Sequence, residues 1–305
     1  MSPMKPRPAA AHLMLAAAVA VWGTSYPVTR YALRFVPPYT LAFLRYALAA
    51  LFFAVFMRGR LRIPAREAGT VFLLGLTGGL GFAALMNLGM GRTTGVSGSL
   101  LSGAPPLITA LLAAAILKEP LRAWKLAGLS AGIAGIICIT ASSFFAGGDG
   151  TGAFKGDLLV FASQVCWAVY TVAGKRAAGR MGGAVAGAWG VIAAAGLLFP
   201  PALAEAALGR PCAAGAGAAG SLLYLSIFNT ALAYILWNKA LDTVDASTAA
   251  GFQFIQPLSG AIASMAMLGE GLTPAIAAGA ALVIAGVSMM ARAGGRPPIN
   301  APPPA

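Results

Sequence analysis

Two stretches decide the fold: GAPPLITALLAAAILKEPL, residues Gly103–Leu121, and FQFIQPLSGAIASMAMLGEGL, residues Phe252–Leu272. Laid over one another, they pair Pro106 with Pro257 and Glu119 with Glu270, each 151 residues apart. The same offset pairs Asn87 with Asn238, Gly128 with Gly279 and Gly135 with Gly286. Ala- and Gly-rich segments align easily, but five identities at one offset in preserved order indicate an internal duplication.

Working outward from these stretches, the chain is almost continuously apolar. Of 305 residues, 59% are hydrophobic and 10% charged, against roughly 25% charged in soluble domains. A spanning helix needs about 20 mostly apolar residues to cross a ~30 Å hydrocarbon core. That ruler places ten spans, at 12–34, 38–57, 68–91, 94–117, 121–141, 156–176, 184–204, 216–239, 244–268 and 272–291. The breaks fall at Pro37-Pro38, at the basic run Arg58 to Glu67, at Lys118-Glu119-Pro120 and in the Gly-rich stretch 147–152. Inside lipid the peptide groups demand helix or closed barrel, and segments of this length and composition are helical. The first apolar run follows a basic start like a signal peptide, but it continues through Trp22, Tyr26 and Pro27 and reads as an uncleaved first span.

The formal charge of +13 would suggest nucleic acid in a soluble protein. Here the cations cluster between apolar segments, which fits anchoring beside a membrane and gives no nucleic-acid partner. With the N-terminus inside the cell, fifteen of the 21 Lys and Arg fall at cytoplasmic ends and four at the opposite ends, with Arg30 and Arg45 within spans. Both termini are therefore expected in the cytoplasm of an inner-membrane, multi-pass protein. The domain plan is a tail at 1–11, a first repeat at 12–141, a periplasmic linker at 142–155, a second repeat at 156–291 and a disordered tail at 292–305. Five spans per repeat is an odd number, so the second copy enters the membrane inverted. Inverted-topology repeats are a recurring plan of secondary transporters, with the substrate near the midplane.

The repeats resemble the EamA domain of the drug/metabolite transporter superfamily. The resemblance rests on WGTSYPVTR in span 1, LAFLRYALAALFF in span 2, GAPPLITALLAAAILKEPLRAWKLAGLSAGIAGI across spans 4 and 5, and FQFIQPLSGAIASMAMLGEGLTPAIAAGAALVIAGV in the second half. It implies an all-α membrane fold of ten helices in two five-helix inverted repeats around a central cavity, usually in metabolite or amino-acid exporters. Span 7 departs from the pattern: aligned through Trp22 and Trp167, the position equivalent to Arg45 falls near Gly190, so any role of Arg45 is not duplicated.

Polar residues within the spans are the candidates for substrate contact. Ser99, Ser102 and Pro106 share one face of span 4, and Gln253, with Gln256 beside it, and Pro257 sit at matching places in span 9. Amides in hydrocarbon need partners and should point inward, to line a cavity or to bond helices together. Trp22, Ser25 and Tyr26 in span 1 face Gln164, Trp167 and Tyr170 in span 6 as a second set, with core packing as the other reading. Arg45 lies about 10 Å into span 2 at 1.5 Å per residue; it is suited to a substrate carboxylate or to neighbouring carbonyls. Arg30, nearer a helix end, is expected to snorkel outward. Asn87, Asn238, Pro106 and Pro257 are candidates for gating or hinge positions. The small-residue faces Gly128-x-x-x-Gly132 and Ala131-x-x-x-Gly135 serve close packing within the monomer or in a homodimer.

The eight acids, Glu67, Glu119, Asp149, Asp157, Glu205, Asp242, Asp245 and Glu270, are all read as lying in or beside loops. Without a mid-span carboxylate, and with only His12 at a terminus, a proton relay is not evident, which favours facilitated diffusion over proton antiport. No P-loop, no protease pair and no channel-filter motif is present. Cys138, Cys166 and Cys212 lack metal spacing. No enzyme activity, cofactor or metal is expected. The sequence reading is export of a small neutral or zwitterionic metabolite, an amino acid of aromatic or amphipathic character, by alternating access. The alternatives are an importer on the same fold and a non-transporting membrane scaffold subunit.

Overall fold

The computed structural model describes residues 8–57, 65–108, 111, 123–145, 150–210, 212–241, 252–253 and 255–294. It is helical, with no strand among the described residues. The helices are α1 (Pro8–Ala32), α2 (Pro38–Phe56), α3 (Ala65–Met90), α4 (Gly95–Leu101), α5 (Ala123–Phe145), α6 (Gly150–Met181) and α7 (Gly183–Ala207). They are followed by α8 (Ala216–Leu223, Tyr224–Leu232 and Ala233–Leu241), α9 (Ile255–Leu268) and α10 (Pro274–Gly294).

Six of these carry stretches long and apolar enough to cross a membrane: Ala9–Ala32, Pro38–Phe56, Ala65–Met90, Thr151–Met181, Gly183–Ala207 and Ala216–Trp237. Shorter apolar helices occupy Leu126–Ser142, Ile255–Leu268 and Pro274–Gly286. The expected spans 94–117 and 244–268 run into residues outside the description, where Glu119, Asp149, Asp242 and Asp245, residues 1–7 and 295–305 of the two tails and 146–149 of the linker also lie. Around that linker, α5 continues to Phe145 and α6 starts at Gly150.

Polarity is arranged for lipid. Large apolar side chains such as Leu13, Phe56, Phe72 and Leu203 face outward, while Gln164, Ser163, Ser226 and Asn229 are buried. In water this distribution would be inside out; in a bilayer it places each group in a favourable medium. The chain is a multi-pass membrane protein.

The small-residue face of α5 is used within the monomer. Gly135 packs on Gly279, where an added Cβ would lie 2.5 Å from the Gly279 carbonyl oxygen and 2.8 Å from the Val283 nitrogen. At the other end of the contact, a Cβ added at Gly286 would meet the Gly128 carbonyl oxygen and lie 2.6 Å from the Gly132 nitrogen. Gly279 and Gly286 follow Gly128 and Gly135 by 151 residues, so the contact exchanges its partners. The first glycine of one helix meets the second of the other, and the reverse. Such an exchange is the signature of a two-fold interface, and the opposed numbering makes α5 and α10 antiparallel, as an inverted duplication requires. Backbones this close leave no room for a methyl group, so van der Waals contact between main chains does the packing.

Gly135→Ala should therefore force α5 and α10 apart and destabilise the fold by about 1–3 kcal/mol. Gly196→Ala in α7, where an added Cβ would meet nothing within 4 Å, should be neutral. Thermal melts of the two purified variants check this. Were the α5 face an interface between copies instead, Gly135→Ala would alter oligomeric state and leave the melt of the monomer unchanged.

Candidate functional site: a cavity between interrupted helices

Four helices depart from regular α geometry, and their irregular parts meet. α4 ends at Leu101, and Ser102 and Gly103 turn before helical structure resumes over 105–108. The Ser102, Gly103 and Ala104 amides donate to the Ser99, Leu100 and Leu101 carbonyls, each three residues back. α9 starts at Ile255 after a turn at Gln253, whose carbonyl accepts from the Gln256 amide at 3.1 Å. Pro106 and Pro257 thus sit in the first turn of a restarted helix, where proline has no amide to waste. A proline inside a continuous helix removes a hydrogen bond and permits a kink; here each proline instead follows a turn.

α3 and α8 contain π-helical sections of nine residues each, Leu76–Ala84 and Tyr224–Leu232. In the π register a carbonyl is passed over. The Ala233 amide donates to Phe228 rather than Asn229, and the freed Asn229 carbonyl accepts from Trp22 Nε1 at 3.1 Å. The Thr230 hydroxyl donates to the Leu225 carbonyl five residues back at 2.8 Å. π sections of this kind are frequent at functional sites.

Between these irregular segments lies a cavity of about 130 Å³. Its wall includes Trp22, Ser25 and Tyr26 of α1, Arg45, Tyr46 and Phe53 of α2, and Leu74, Gly78 and Phe82 of α3. The broken fourth segment adds Ser102, Gly103, Pro105 and Pro106; α6 adds Gln164, Trp167 and Tyr170; α7 adds Gly187, Gly190 and Val191. Asn229 and Thr230 of α8, Gln253, Gln256 and Pro257 at the α9 break, and Val283 and Ile284 of α10 complete it. The Tyr26 hydroxyl lies among Ser102, Gln164 and Gln256, tying α1, both breaks and α6 together. Trp167 stacks on Tyr170 with centroids 5.1 Å apart and leans on Phe82 at 4.9 Å.

The consecutive residues Arg45 and Tyr46 reach both π sections. The Tyr46 hydroxyl donates to the Gly78 carbonyl in α3 at 2.9 Å. Arg45 Nη2 donates to Asn229 Oδ1 at 2.7 Å and Nε to Thr230 Oγ1 at 3.0 Å, in α8. Asn229 is a hub, since its Nδ2 also donates to the Val21 carbonyl of α1 at 2.6 Å. The guanidinium is buried, and the described cavity wall holds no acid to balance it.

The cavity wall extends toward Phe53, Leu74 and Gly187, near the end where Arg180 Nε meets Glu67 at 2.9 Å. The opposite end is filled by a buried cluster of Tyr26, Met86, Met90, Val96 and Leu100. Over that cluster, Glu270 accepts from the Gly95 and Val96 amides at 2.9 and 2.8 Å, at the N-terminus of α4. Thr94 caps the same turn by accepting from the Ser97 amide. Arg30 Nε pairs with Glu270 at 3.0 Å and Nη1 donates to the Met90 carbonyl at 3.3 Å. Arg30 therefore does not snorkel: a carboxylate and a carbonyl hold it in place.

Of the acids expected in or beside loops, Glu270 lies in the loop before α10 and Glu205 in the last turn of α7, whereas Asp157 lies within α6. Asp157, fully buried two turns into α6, accepts from the Thr93 hydroxyl. Glu205, in the last turn of α7, accepts from the Thr40 amide at 2.8 Å and its hydroxyl at 3.0 Å. Thr40 lies in the first turn of α2, whose N-cap Pro37 has no side-chain acceptor. A carboxylate from another helix does the capping.

Of the sequence candidates, Trp22, Ser25, Tyr26, Arg45, Ser102, Gln164, Trp167, Tyr170, Gln253, Gln256, Pro106 and Pro257 lie on one cavity wall. Ser99 does not: it is buried against Gly260, with its hydroxyl on the Gly95 carbonyl. Asn87 is also off the wall, donating to the Pro38 carbonyl at 2.8 Å and holding α2 to α3. Asn238 lies in α8, and its side chain is outside the described residues. Sequence reading misses Asn229 and Thr230, although an Asn-Thr pair inside an apolar run is a usable signal.

A lipid-embedded helical bundle around a polar and aromatic cavity, closed at one end by an apolar cluster beneath the Arg30–Glu270 ion pair, has the build of a membrane carrier. The chain belongs to the EamA-like transporter family, whose model matches residues 9–141 and 154–292, one match per repeat. It is 28% identical over 280 residues to an uncharacterized transporter of Archaeoglobus fulgidus, covering 92% of this chain and 98% of that one. It is 28% identical to a protein of Streptantibioticus cattleyicolor named "Probable terminal-alkyne amino-acid exporter", with 90% and 91% of the two chains covered. A Salmonella typhimurium protein named "Probable amino-acid metabolite efflux pump" is 29% identical, covering 88% and 90%. A solved crystal structure shares the fold, with a TM-score of 0.61 at 24% identity over 94% of this chain and 99% of that one.

If the Glu270 contacts hold the Arg30 end shut, Glu270→Gln should shift the population toward opening there. With Cys138, Cys166 and Cys212 replaced by Ser and Ser102→Cys as reporter, a membrane-impermeant thiol reagent applied from the Arg30 side should react faster. Loss of ~1 kcal/mol of helix-end and ion-pair attraction corresponds to about fivefold. An unchanged rate would mean that the apolar cluster alone holds the seal.

Proposed function

We propose that this transporter is an exporter that carries a small neutral or zwitterionic metabolite across the inner membrane by alternating access. The cargo is an amino acid with an aromatic or amphipathic side chain. The working form has ten transmembrane helices in two inverted five-helix repeats, with both termini cytoplasmic. The observation that carries this reading is the cavity between the two breaks: amides, hydroxyls and one guanidinium on its wall, and ring faces from Trp22, Phe82, Trp167 and Tyr170 beside them. Such a wall hydrogen-bonds the polar end of a metabolite while the rings cover its apolar body. Discontinuous helices near a repeat interface are where secondary transporters bind their cargo. The names of the two exporter relatives support both the outward direction and the amino-acid class.

Uptake and counterflow of labelled amino acids in proteoliposomes test this. Aromatic and amphipathic amino acids should exchange. Trp167→Ala and Gln256→Ala should each lower exchange by about tenfold, the loss of a buried ring contact or hydrogen bond of ~1.4 kcal/mol, in protein that still shows a cooperative melting transition. No flux across a broad metabolite panel would overturn the carrier reading. An export phenotype in cells that both variants leave intact would favour a scaffold subunit.

A further inference from the structure

We propose that Arg45 is a carboxylate anchor and that the cargo's amino group is dispensable, so the cavity takes compact monocarboxylates whether or not they carry an ammonium. This rests on the reading of the cavity as the cargo site and narrows its chemistry. The guanidinium offers two edges. One, Nε with Nη2, is engaged by Thr230 Oγ1 and Asn229 Oδ1 at 3.0 and 2.7 Å. Two neutral oxygens on adjacent residues stand where the oxygens of a carboxylate would, and they fix the plane of the group without neutralising it. The other edge, Nη1 with the outer hydrogen of Nη2, has no acceptor among the described residues. It is the edge that a carboxylate grips with two parallel hydrogen bonds.

Charge on the wall points the same way. The described lining holds one cation and no anion, so a buried positive charge awaits a mobile counter-ion. An uncompensated arginine in hydrocarbon is costly, and an incoming carboxylate relieves that cost where a neutral ligand does not. An ammonium finds no carboxylate on the described wall; its partners are ring faces and amide oxygens, weaker ligands for a desolvated cation. Gly190, which falls opposite Arg45 when the repeats are aligned through Trp22 and Trp167, lines the same cavity without a side chain. The site is therefore charged on one side only, which orients an anionic group toward α2 and α8. Ring faces of Trp22, Trp167 and Tyr170 are left for an apolar body.

The test uses the purified full-length protein in detergent and reads ligand-induced shifts in melting temperature. The probes are matched sets: phenylalanine, phenylpropionate and phenylethylamine, with leucine, isocaproate and isoamylamine as an aliphatic set. The expected result is stabilisation by both acids and both amino acids, and none by the amines. Arg45→Gln should remove the response to acids. Asn229→Asp is the sharper variant: it keeps a partner on Arg45 and supplies the missing negative charge, at the cost of the Nδ2 bond to the Val21 carbonyl. Its ligand-free melting temperature is therefore read beside that of Asn229→Ala, which loses the same bond without the charge. A cargo-binding Arg45 then loses affinity for acids by about tenfold or more, whereas a purely structural Arg45 leaves acid binding as it was. Stabilisation by amines, an undiminished acid response in Asn229→Asp, or no response to any acid would each overturn the anchor. The carrier reading itself stands or falls separately on proteoliposome flux.

Discussion

A peptide group that leaves its helix inside hydrocarbon must find another partner, and that constraint organises this protein. Breaks in the fourth and ninth segments and π sections in α3 and α8 release main-chain groups at membrane depth. Such irregularities are tolerated only where protein or a polar cavity receives them. Here all four face inward. The freed carbonyl of Asn229 takes the Trp22 indole, Gly78 takes the Tyr46 hydroxyl, and the residues at the breaks surround Tyr26. The polar interior is thus a consequence of the same deviations that make room for it.

Symmetry and its loss divide the labour between two regions. The α5–α10 contact obeys the internal two-fold closely, with glycines exchanging partners between repeats. A rigid, symmetric seam of small residues suits a structural role, since nothing there need differ between halves. At the cavity the repeats differ where chemistry is needed: α2 contributes the Arg45 guanidinium, while α7 contributes Gly187, Gly190 and Val191 and no charge. The asymmetry gives the cavity a direction that a perfect duplication would lack.

Much of the fold is legible in the sequence because lipid imposes a simple code. Apolar run length marks the membrane segments, and the offset of 151 marks the repeat through residues that pack, such as Gly128 and Gly279. Inward amides and aromatics follow from the cost of burying polar groups, which is why Gln164, Gln256, Trp167 and Tyr170 can be picked out from residue type and position alone. The π sections are not legible. They depend on which carbonyl an amide chooses, a difference of one residue in register that hydropathy does not record. Asn229 and Thr230 are lost with them. Ser99 shares a face with Ser102, yet the helix ends between them and their surroundings differ. Spacing arguments assume a continuous helix, and they fail where the helix stops.

The acids illustrate a second limit, and they alter the energetic picture. Counting carboxylates by distance from loops treats them as surface groups. Glu205, Glu270 and Asp157 instead belong to the second repeat and bind groups at or beside helix N-termini of the first: Thr40 in α2, Gly95 and Val96 in α4, and Thr93 just before it. A carboxylate at a helix N-terminus satisfies amides that have no other partner and meets the positive end of the helix dipole. These bonds link the halves at the end opposite the Glu67–Arg180 pair. Separating the halves there exposes amides and carboxylates together, so water must replace several charge-assisted bonds at once. Under the alternating-access reading proposed above, opening that end parts these polar contacts together with the apolar cluster beneath them. The polar contacts at the rim can be rehydrated as they part, whereas an apolar seam pulled open inside the bilayer cannot.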